Sequence, residues 1–262
     1  MLGRDVTVAA QHASLEPIPL TRADLDVTDA AAVNSAVAEH APQAVINCAA
    51  FTNVDGAEAE ETAALLLNGN AAGYLAQAAR KQGARMIQVS TDYVFDGTKT
   101  SAYLESDEVG PRSAYGRTKL AGEQQVLEAD PSALVARTAW LFGVHGNNFV
   151  ETMLRIGGER GEVAVVTDQI GCPTYTGHLA AALVRLAEHG GPGVHHLAAS
   201  GHCSWNEFAR EIFTLARADV AVNNTTSAEF VRPAPRPAFS VLESERSDAI
   251  VLPPWQEGLA AY

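Results

Sequence analysis

Tyr115 and Lys119 stand four residues apart in the stretch "SAYGRTKLAG". On a helix that spacing puts the phenol and the ammonium on one face. A free phenol, with a pKa of about 10, is a poor proton donor or acceptor at neutral pH. A fixed cation alongside favours the phenolate and draws that pKa toward the working range. Such a pair suits the delivery of a proton to a carbonyl oxygen while hydride arrives on its carbon. The chain has only three lysines, Lys81, Lys99 and Lys119, so an accidental Tyr-x-x-x-Lys is uncommon. Upstream, "VSTDYVFDG" places Ser90 and Thr91 where a hydroxyl can bond the same carbonyl oxygen. Earlier still, "NCAAFT" ends an apolar run in Ala49 and Ala50, small enough to let a flat cofactor lie against the backbone.

These groups need a scaffold that brings them together, and the hydrophobic periodicity supplies one. "LEPIPL" (15–20) reads as a strand despite two prolines, and "TDAAAVNSAVAEH" as a helix capped by Thr28 or Asp29. The strand "QAVINCAA" (43–50), a helix across 57–81 and the strand "ARMIQVS" (84–90) follow. The helix "SAYGRTKLAGEQQVLEAD" (113–130) and the strand "ALVARTAWLF" (133–142) come next. The alternation predicts α/β architecture, a doubly wound, Rossmann-like parallel sheet with its ligand crevice at the C-terminal ends of the strands. Beyond residue 145 the pattern loosens into short elements, with Ser204 and Glu207 spaced as a capping box. We therefore expect a dinucleotide-binding domain over 1–146, rejoined by about 175–197. A smaller C-terminal substrate-binding lobe would comprise 147–174 and 198–262.

Composition narrows the partners. The 262 residues carry 31 acidic against 18 basic side chains, a net charge of −13. That argues against a nucleic-acid or anionic-membrane surface but leaves room for a small anion held locally. Cys48, Cys172 and Cys203 are widely spaced, with no C-x-x-C, as in a reducing compartment. No apolar run reaches the length of a membrane span and no signal core opens the chain, so a cytoplasmic protein is expected. His195 and His196, near His202 and Cys203, are the only histidine cluster. Neighbours on a strand face opposite ways, so no metal site is expected there.

Taken in order, the motifs "DLDVTD", "VINCAAFTNVDGAE", "VSTDYVFDGT", "YGRTKLAGE", "RTAWLFGVHGNNFVETML", "DQIGCPT" and "RPAPRPAFS" span about residues 20–240. This text resembles the dTDP-4-dehydrorhamnose reductase family, in the extended branch of the short-chain dehydrogenase/reductase superfamily. The resemblance implies reduction of the C4 ketone of dTDP-4-dehydro-L-rhamnose by NADPH or NADH, a nucleotide sugar as partner, and scope for a homodimer. It implies Tyr115 as general acid, Lys119 as the cation that lowers its pKa and holds the nicotinamide ribose, and Thr91 as the residue that orients the ketone. Asp92, Asn147 and Asn148 become candidates for sugar hydroxyls, and Trp140 for an apolar wall. Gln169, Pro173 and Thr174 would shape the sugar-nucleotide pocket, with Arg236 and its neighbour Arg232 as a diphosphate seat. For the cofactor the candidates are Gly3, Ala49, Ala50 and Thr52, with Arg22, Asp24, Leu25 and Asp26 at the adenosine half.

One departure from the family concerns "MLGRDV". Gly3 matches the last glycine of a G-x-x-G-x-x-G loop, so the first strand and most of that loop are expected to be missing from this chain, through a late start rather than a shortened protein. Two other readings remain open at this stage. One is a non-catalytic subunit resembling the regulatory subunit of methionine adenosyltransferase. The other is an epimerase or dehydratase of the same branch, against which Tyr93 argues, because a dehydratase would want a further acid or base there.

Overall fold

The computed structural model describes every residue from Met1 to Tyr262. The first half contains α1 (Leu2–His12), α2 (Ala30–His40), β1 (Ala44–Asn47), α3 (Val54–Ala59), α4 (Glu61–Leu65), α5 (Ala71–Lys81), β2 (Arg85–Thr91), α6 (Ala114–Ala129) and β3 (Leu134–Thr138). It continues with β4 (Leu141–Phe142), α7 (Phe149–Arg160), β5 (Glu162–Val166), β6 (Ile170–Gly171), β7 (Thr174–Tyr175), α8 (Thr176–His189) and β8 (Gly193–His196). The last elements are β9 (Ala199–Ser200), β10 (Cys203–Ser204), α9 (Trp205–Ala216), β11 (Ala221–Thr225), β12 (Leu252–Pro254) and α10 (Trp255–Ala261).

The central sheet runs β1-β2-β3-β8, all parallel. Its strands are buried on both sides, and side-chain alternation divides them between two cores. Ile87, Leu134 and Ala136 pack with Leu2 of α1 and with Leu179, Leu183 and Leu186 of α8. Met86, one residue before Ile87, points the other way, to Val33 and Val37 of α2, Leu75 of α5 and Val126 of α6. Each such side chain contributes roughly 1.5–3 kcal/mol by leaving water. Helices thus cover both faces, as the alternation predicts.

A third core gathers Phe142, Val163, Val165, Phe208, Ile212 and Phe213 under α7 and α9. Parallel β5–β11 and the short pairs β4–β7, β6–β10 and β9–β12 surround it. The capping box forms as the spacing predicts: Ser204 accepts from the Glu207 N–H, and the Glu207 carboxylate accepts from the Ser204 N–H at 2.7 Å.

Three elements differ from the sequence reading. Residues 15–20 form no strand, because β1 is hydrogen-bonded only to β2 and Pro17 and Pro19 have no N–H to pair. The helix expected over 57–81 begins with the separate α3, breaks at Glu60, and then passes from α4 into α5 through a π-helical turn, Leu66–Asn70. The strand expected over 133–142 is interrupted by Trp140, whose φ is +48°. At the α2 start, Asp29 is the cap, accepting from Ala31 and Ala32, while the Thr28 hydroxyl donates to Asp26.

Candidate active site

Parallel register sets the C-terminal ends of β1, β2 and β3 side by side, with Thr91 opposite Thr138. The first turn of α6 lies over the end of β2. Ser113 caps it, accepting from Gly116 N–H at 3.1 Å. A Cβ on Gly116 would overlap the Tyr93 carbonyl oxygen, so glycine is what lets the Tyr115 turn come this close. The Tyr115 ring meets Tyr93 edge-on, with centroids 5.5 Å apart. Thr91 is buried, donating to Asp92 Oδ1 at 2.9 Å and accepting from Tyr93 N–H at 3.2 Å. One turn along α6, buried Lys119 donates from Nζ to the Val89 carbonyl at 2.7 Å.

Burial pushes the Tyr115 phenol up to about 12, the Asp92 charge adds to the rise, and only the Thr91 hydroxyl opposes it. The Lys119 ammonium is turned to the Val89 carbonyl, and burial lowers it to about 8, with the Glu123 charge opposing that shift. Burial also raises Asp92 to about 6 against the nearby Ser240 and Thr91 hydroxyls. Near pH 7, then, the phenol keeps its proton, the amine is mostly charged and Asp92 is mostly ionised. This is the state of a proton donor.

Trp140 lies beyond the end of β3. Its positive φ is a strained conformation for a bulky residue, costing roughly 1–3 kcal/mol. Two contacts hold it: the Trp205 ring is stacked on it with centroids 3.5 Å apart and planes within 3°, and Gly171 lies under the indole where any Cβ would clash. From the C-terminal segment, Arg236 reaches over the Tyr93 ring, its guanidinium 5.8 Å from the centroid. Arg236 and Arg232 both pair with Asp55, at 3.1 and 2.5 Å. The expected anion seat is thus already matched by a carboxylate, although Arg236 Nη1 is buried without a partner.

The remaining sequence candidates are more dispersed. Asn148 is buried as the cap of α7, its amide donating to Gly143 O at 2.9 Å and Gly146 O at 3.2 Å, whereas Asn147 is exposed. Thr174 is buried, bonded to Cys172 O and Ala199 N–H, with Pro173 buried beside it. Gln169 donates to Ser227 at 2.8 Å. Ala49 and Ala50 are half-buried at the end of β1, with Thr52 exposed after them. Gly3 is exposed in the first turn of α1, facing Cys48. Asp24 and Asp26 bond the N–H and hydroxyl of Thr21 and Thr28 in their own turns, with Arg22 exposed between Thr21 and Ala23 and Leu25 packed on the Val33 core. No group of three or more His, Cys, Asp or Glu is arranged to hold a metal; His195 and His196 bond backbone carbonyls.

The whole chain, residues 1–262, matches the model of the RmlD substrate binding domain. The chain belongs to this family. Among its relatives is a dTDP-4-dehydrorhamnose reductase of Streptomyces griseus, 46% identical across 100% of this chain and 88% of that protein. A crystal structure of a dTDP-4-dehydrorhamnose reductase from Clostridium acetobutylicum superimposes with a TM-score of 0.96 at 43% identity, covering 100% of this chain and 94% of that one. A Bacillus anthracis dTDP-4-dehydrorhamnose reductase in complex with NADP matches equally well, TM-score 0.96 at 38% identity, with the same coverage.

The structure gives roles to Asn68 and Asp55, which are not among the sequence candidates, and a consequence to Asp92, which is. Asn68, in the π turn, accepts from Phe51 N–H at 2.8 Å and donates to Phe51 O and Thr118 Oγ1, pinning the loop after β1 to α6. Nothing local in "LLNGN" signals this, since its partners lie far off in sequence. Asp55 stands inside the quoted motif "NVDGAE" but shows its role only through Arg236. Asp92 yields a direct test. Its folded pKa lies above the ordinary 3.8, so its ionisation opposes folding: stability is fully present below about pH 4 and lost as pH rises through about 6. Asp92→Asn is expected to stabilise the protein at pH 8 by about 3 kcal/mol before any lost hydrogen bond is counted, and to give no gain near pH 3.5, as thermal melts at the two pH values would show.

Proposed function

We propose that this protein reduces the C4 ketone of dTDP-4-dehydro-L-rhamnose to dTDP-L-rhamnose with NADPH or NADH, within nucleotide-sugar biosynthesis for cell-surface polysaccharide. The observation that carries the reading is geometric: half-buried Tyr115 packs edge-on against Tyr93 at the end of β2, one helical turn from buried Lys119 on the Val89 carbonyl and beside the Thr91 hydroxyl, and burial favours the protonated phenol. The names of the relatives, and the NADP in one of their structures, support the same chemistry.

The residues present fit a nicotinamide cofactor at its reacting end. Lys119 has three N–H donors and a single acceptor within the protein, and Ala49 and Ala50 present only methyl groups there. In this reading Tyr115 and Lys119 hold the ribose hydroxyls, with Thr52 nearby, Gly3 and the first turn of α1 meet the diphosphate, and Arg22 to Asp26 face the adenosine. The reduced cofactor supplies the hydride. Thr91 donates a hydrogen bond to the ketone oxygen and fixes its direction, and Tyr115 passes its proton to that oxygen as the carbon is reduced. The Lys119 charge stabilises the phenolate left behind. Trp140 walls the sugar, Asp92, Asn147 and Gln169 are placed for its polar edges, and Arg236 exchanges Asp55 for the diphosphate.

The two-lobe division drawn from the sequence, residence in the cytoplasm and a homodimer belong to the same reading. Three free cysteines support the compartment, and no helix is long and apolar enough to cross a membrane. Mixing the protein with dTDP-4-dehydro-L-rhamnose and NADPH is expected to consume the reduced-nicotinamide absorbance in step with formation of dTDP-L-rhamnose. No oxidation with either reduced cofactor overturns the reading.

A further inference from the structure

Behind the Tyr115–Lys119 face lies a second buried charge cluster. Glu123, one turn beyond Lys119 on α6, and Arg137 on β3 are each no more than 4% exposed. They form a two-point ion pair, Arg137 Nε to Oε1 at 3.0 Å and Nη2 to Oε2 at 2.7 Å. The Ser90 hydroxyl donates to Glu123 Oε1 at 2.5 Å. Consecutive residues of β2 therefore grip consecutive turns of α6: the Val89 carbonyl takes Lys119, and the Ser90 hydroxyl takes Glu123. Arg137 closes the cluster from the neighbouring strand, its guanidinium 5.0 Å from the Phe95 ring centroid. A buried ion pair adds little net stability compared with apolar side chains of the same volume, so stability alone does not account for this one.

We propose that Glu123, one helical turn from Lys119 on the buried face of α6 and held by Arg137 and Ser90, is the positioning residue and counter-charge for the Lys119 ammonium. The proposal rests on the reading of Lys119 as the cation of the reductase site. The other charges around Lys119 do not fill this role. Cys48, after β1, is a thiol that burial holds neutral. Asp92 faces Tyr115 across the end of β2. On α6 itself Arg117 is directed away to Glu61 of α4, and Glu58 of α3 bonds the Ala114 N–H at the helix start. Glu123 is the buried carboxylate on the same helix, one turn from Lys119, and its charge favours the ammonium.

Three variants separate this from a merely structural pair. Glu123→Gln leaves Lys119 and Arg137 as two buried cations, which drives the Lys119 midpoint down. Arg137→Met leaves the carboxylate to Lys119 alone, which drives it up. The double variant removes both charges and falls between. Lysine labelled with ¹⁵N at Nζ reads the midpoint directly, because only Lys81, Lys99 and Lys119 contribute and Lys119→Met assigns the signal. The expected result is a fall of about one pH unit or more in Glu123→Gln and a rise in Arg137→Met, with the alkaline limb of kcat/KM following the same order.

If Glu123→Gln does not fold, Arg137→Met and the double variant decide: the first lies above the unaltered protein and the second below the first. Identical midpoints in every folded variant overturn the proposal, as does a pH-independent loss of activity with the limb unmoved. An amine that shifts as described in a protein that oxidises no NADPH would sink the reductase reading and leave the action of Glu123 on Lys119 standing. Turnover with an unmoved amine would sink this inference alone.

Discussion

Tyr115→Phe is expected to lower kcat by roughly 10²–10⁴-fold, with a much smaller loss of cofactor binding from the one ribose contact given up. The substitution deletes one hydroxyl and keeps the ring, so the edge contact with Tyr93 and the close approach of Gly116 to the Tyr93 carbonyl survive. What disappears is the hydroxyl of a phenol that burial keeps protonated at neutral pH beside Thr91 at the end of β2. The measurement is steady-state oxidation of NADPH with the nucleotide sugar, alongside cofactor binding followed by fluorescence. Activity within tenfold of the unaltered protein would move the proton donor elsewhere, and Asp92, at about 6, would be the next group to test.

Lys119→Met is expected to separate activity from stability. Turnover should fall by about 10²-fold or more, because the phenolate formed at Tyr115 loses its cation. Folding stability should rise by about 3 kcal/mol at pH 7, because Lys119 is charged and buried and its folded pKa of about 8 lies below the ordinary 10.5. The unfolded chain binds the extra proton between those two values. The penalty is therefore fully present below about pH 8 and gone above about 10.5, and the advantage of methionine should vanish over that window. Two contacts keep the substitution from creating new orphans. The Val89 carbonyl still accepts from Gln88 Nε2 at 2.8 Å, and Glu123 keeps Arg137 and Ser90. Chemical denaturation at pH 7 and at pH 10.5 checks this, and a variant destabilised equally at both would contradict it.

The two experiments also bear on how the site divides its labour. In the proposed mechanism Tyr115 carries the transferred proton, and Lys119 sets the charge in which that proton leaves. The first depends on one hydroxyl, the second on a charge balance drawn from β2, β3 and α6. A substitution at Lys119 therefore reports on Glu123 and Arg137 as well, whereas one at Tyr115 reports on the phenol alone.

Much of the site was legible because its signals are local. The four-residue spacing of Tyr115 and Lys119 on an amphipathic stretch, Ser90 and Thr91 at the end of an apolar run, and Ala49 and Ala50 at the end of another all follow from backbone periodicity. Parallel strands then bring such strand ends to one side whatever the loops between them do. The capping box at Ser204 and Glu207 was readable for the same reason, as both partners sit within one turn.

What failed to show in the sequence depends on distant partners. Residues 15–20 have the composition of a strand but no neighbour to pair with. Arg236 looks like a free cation until the fold sets Asp55 against it, and Asn148 looks like a ligand for a sugar until its amide is found capping α7. Trp140 reads as the middle of a strand, and only its stack on Trp205 over Gly171 holds it in the left-handed region.

By itself, then, the sequence determined the order of the elements, the face shared by Tyr115 and Lys119 and the strand ends that meet them, because these are properties of φ/ψ periodicity over a few residues. Only the tertiary structure decided the protonation of Tyr115 and the pairing of Glu123 with Arg137, because desolvation and buried charge balance depend on which chain segments, far apart in sequence, exclude water from one another.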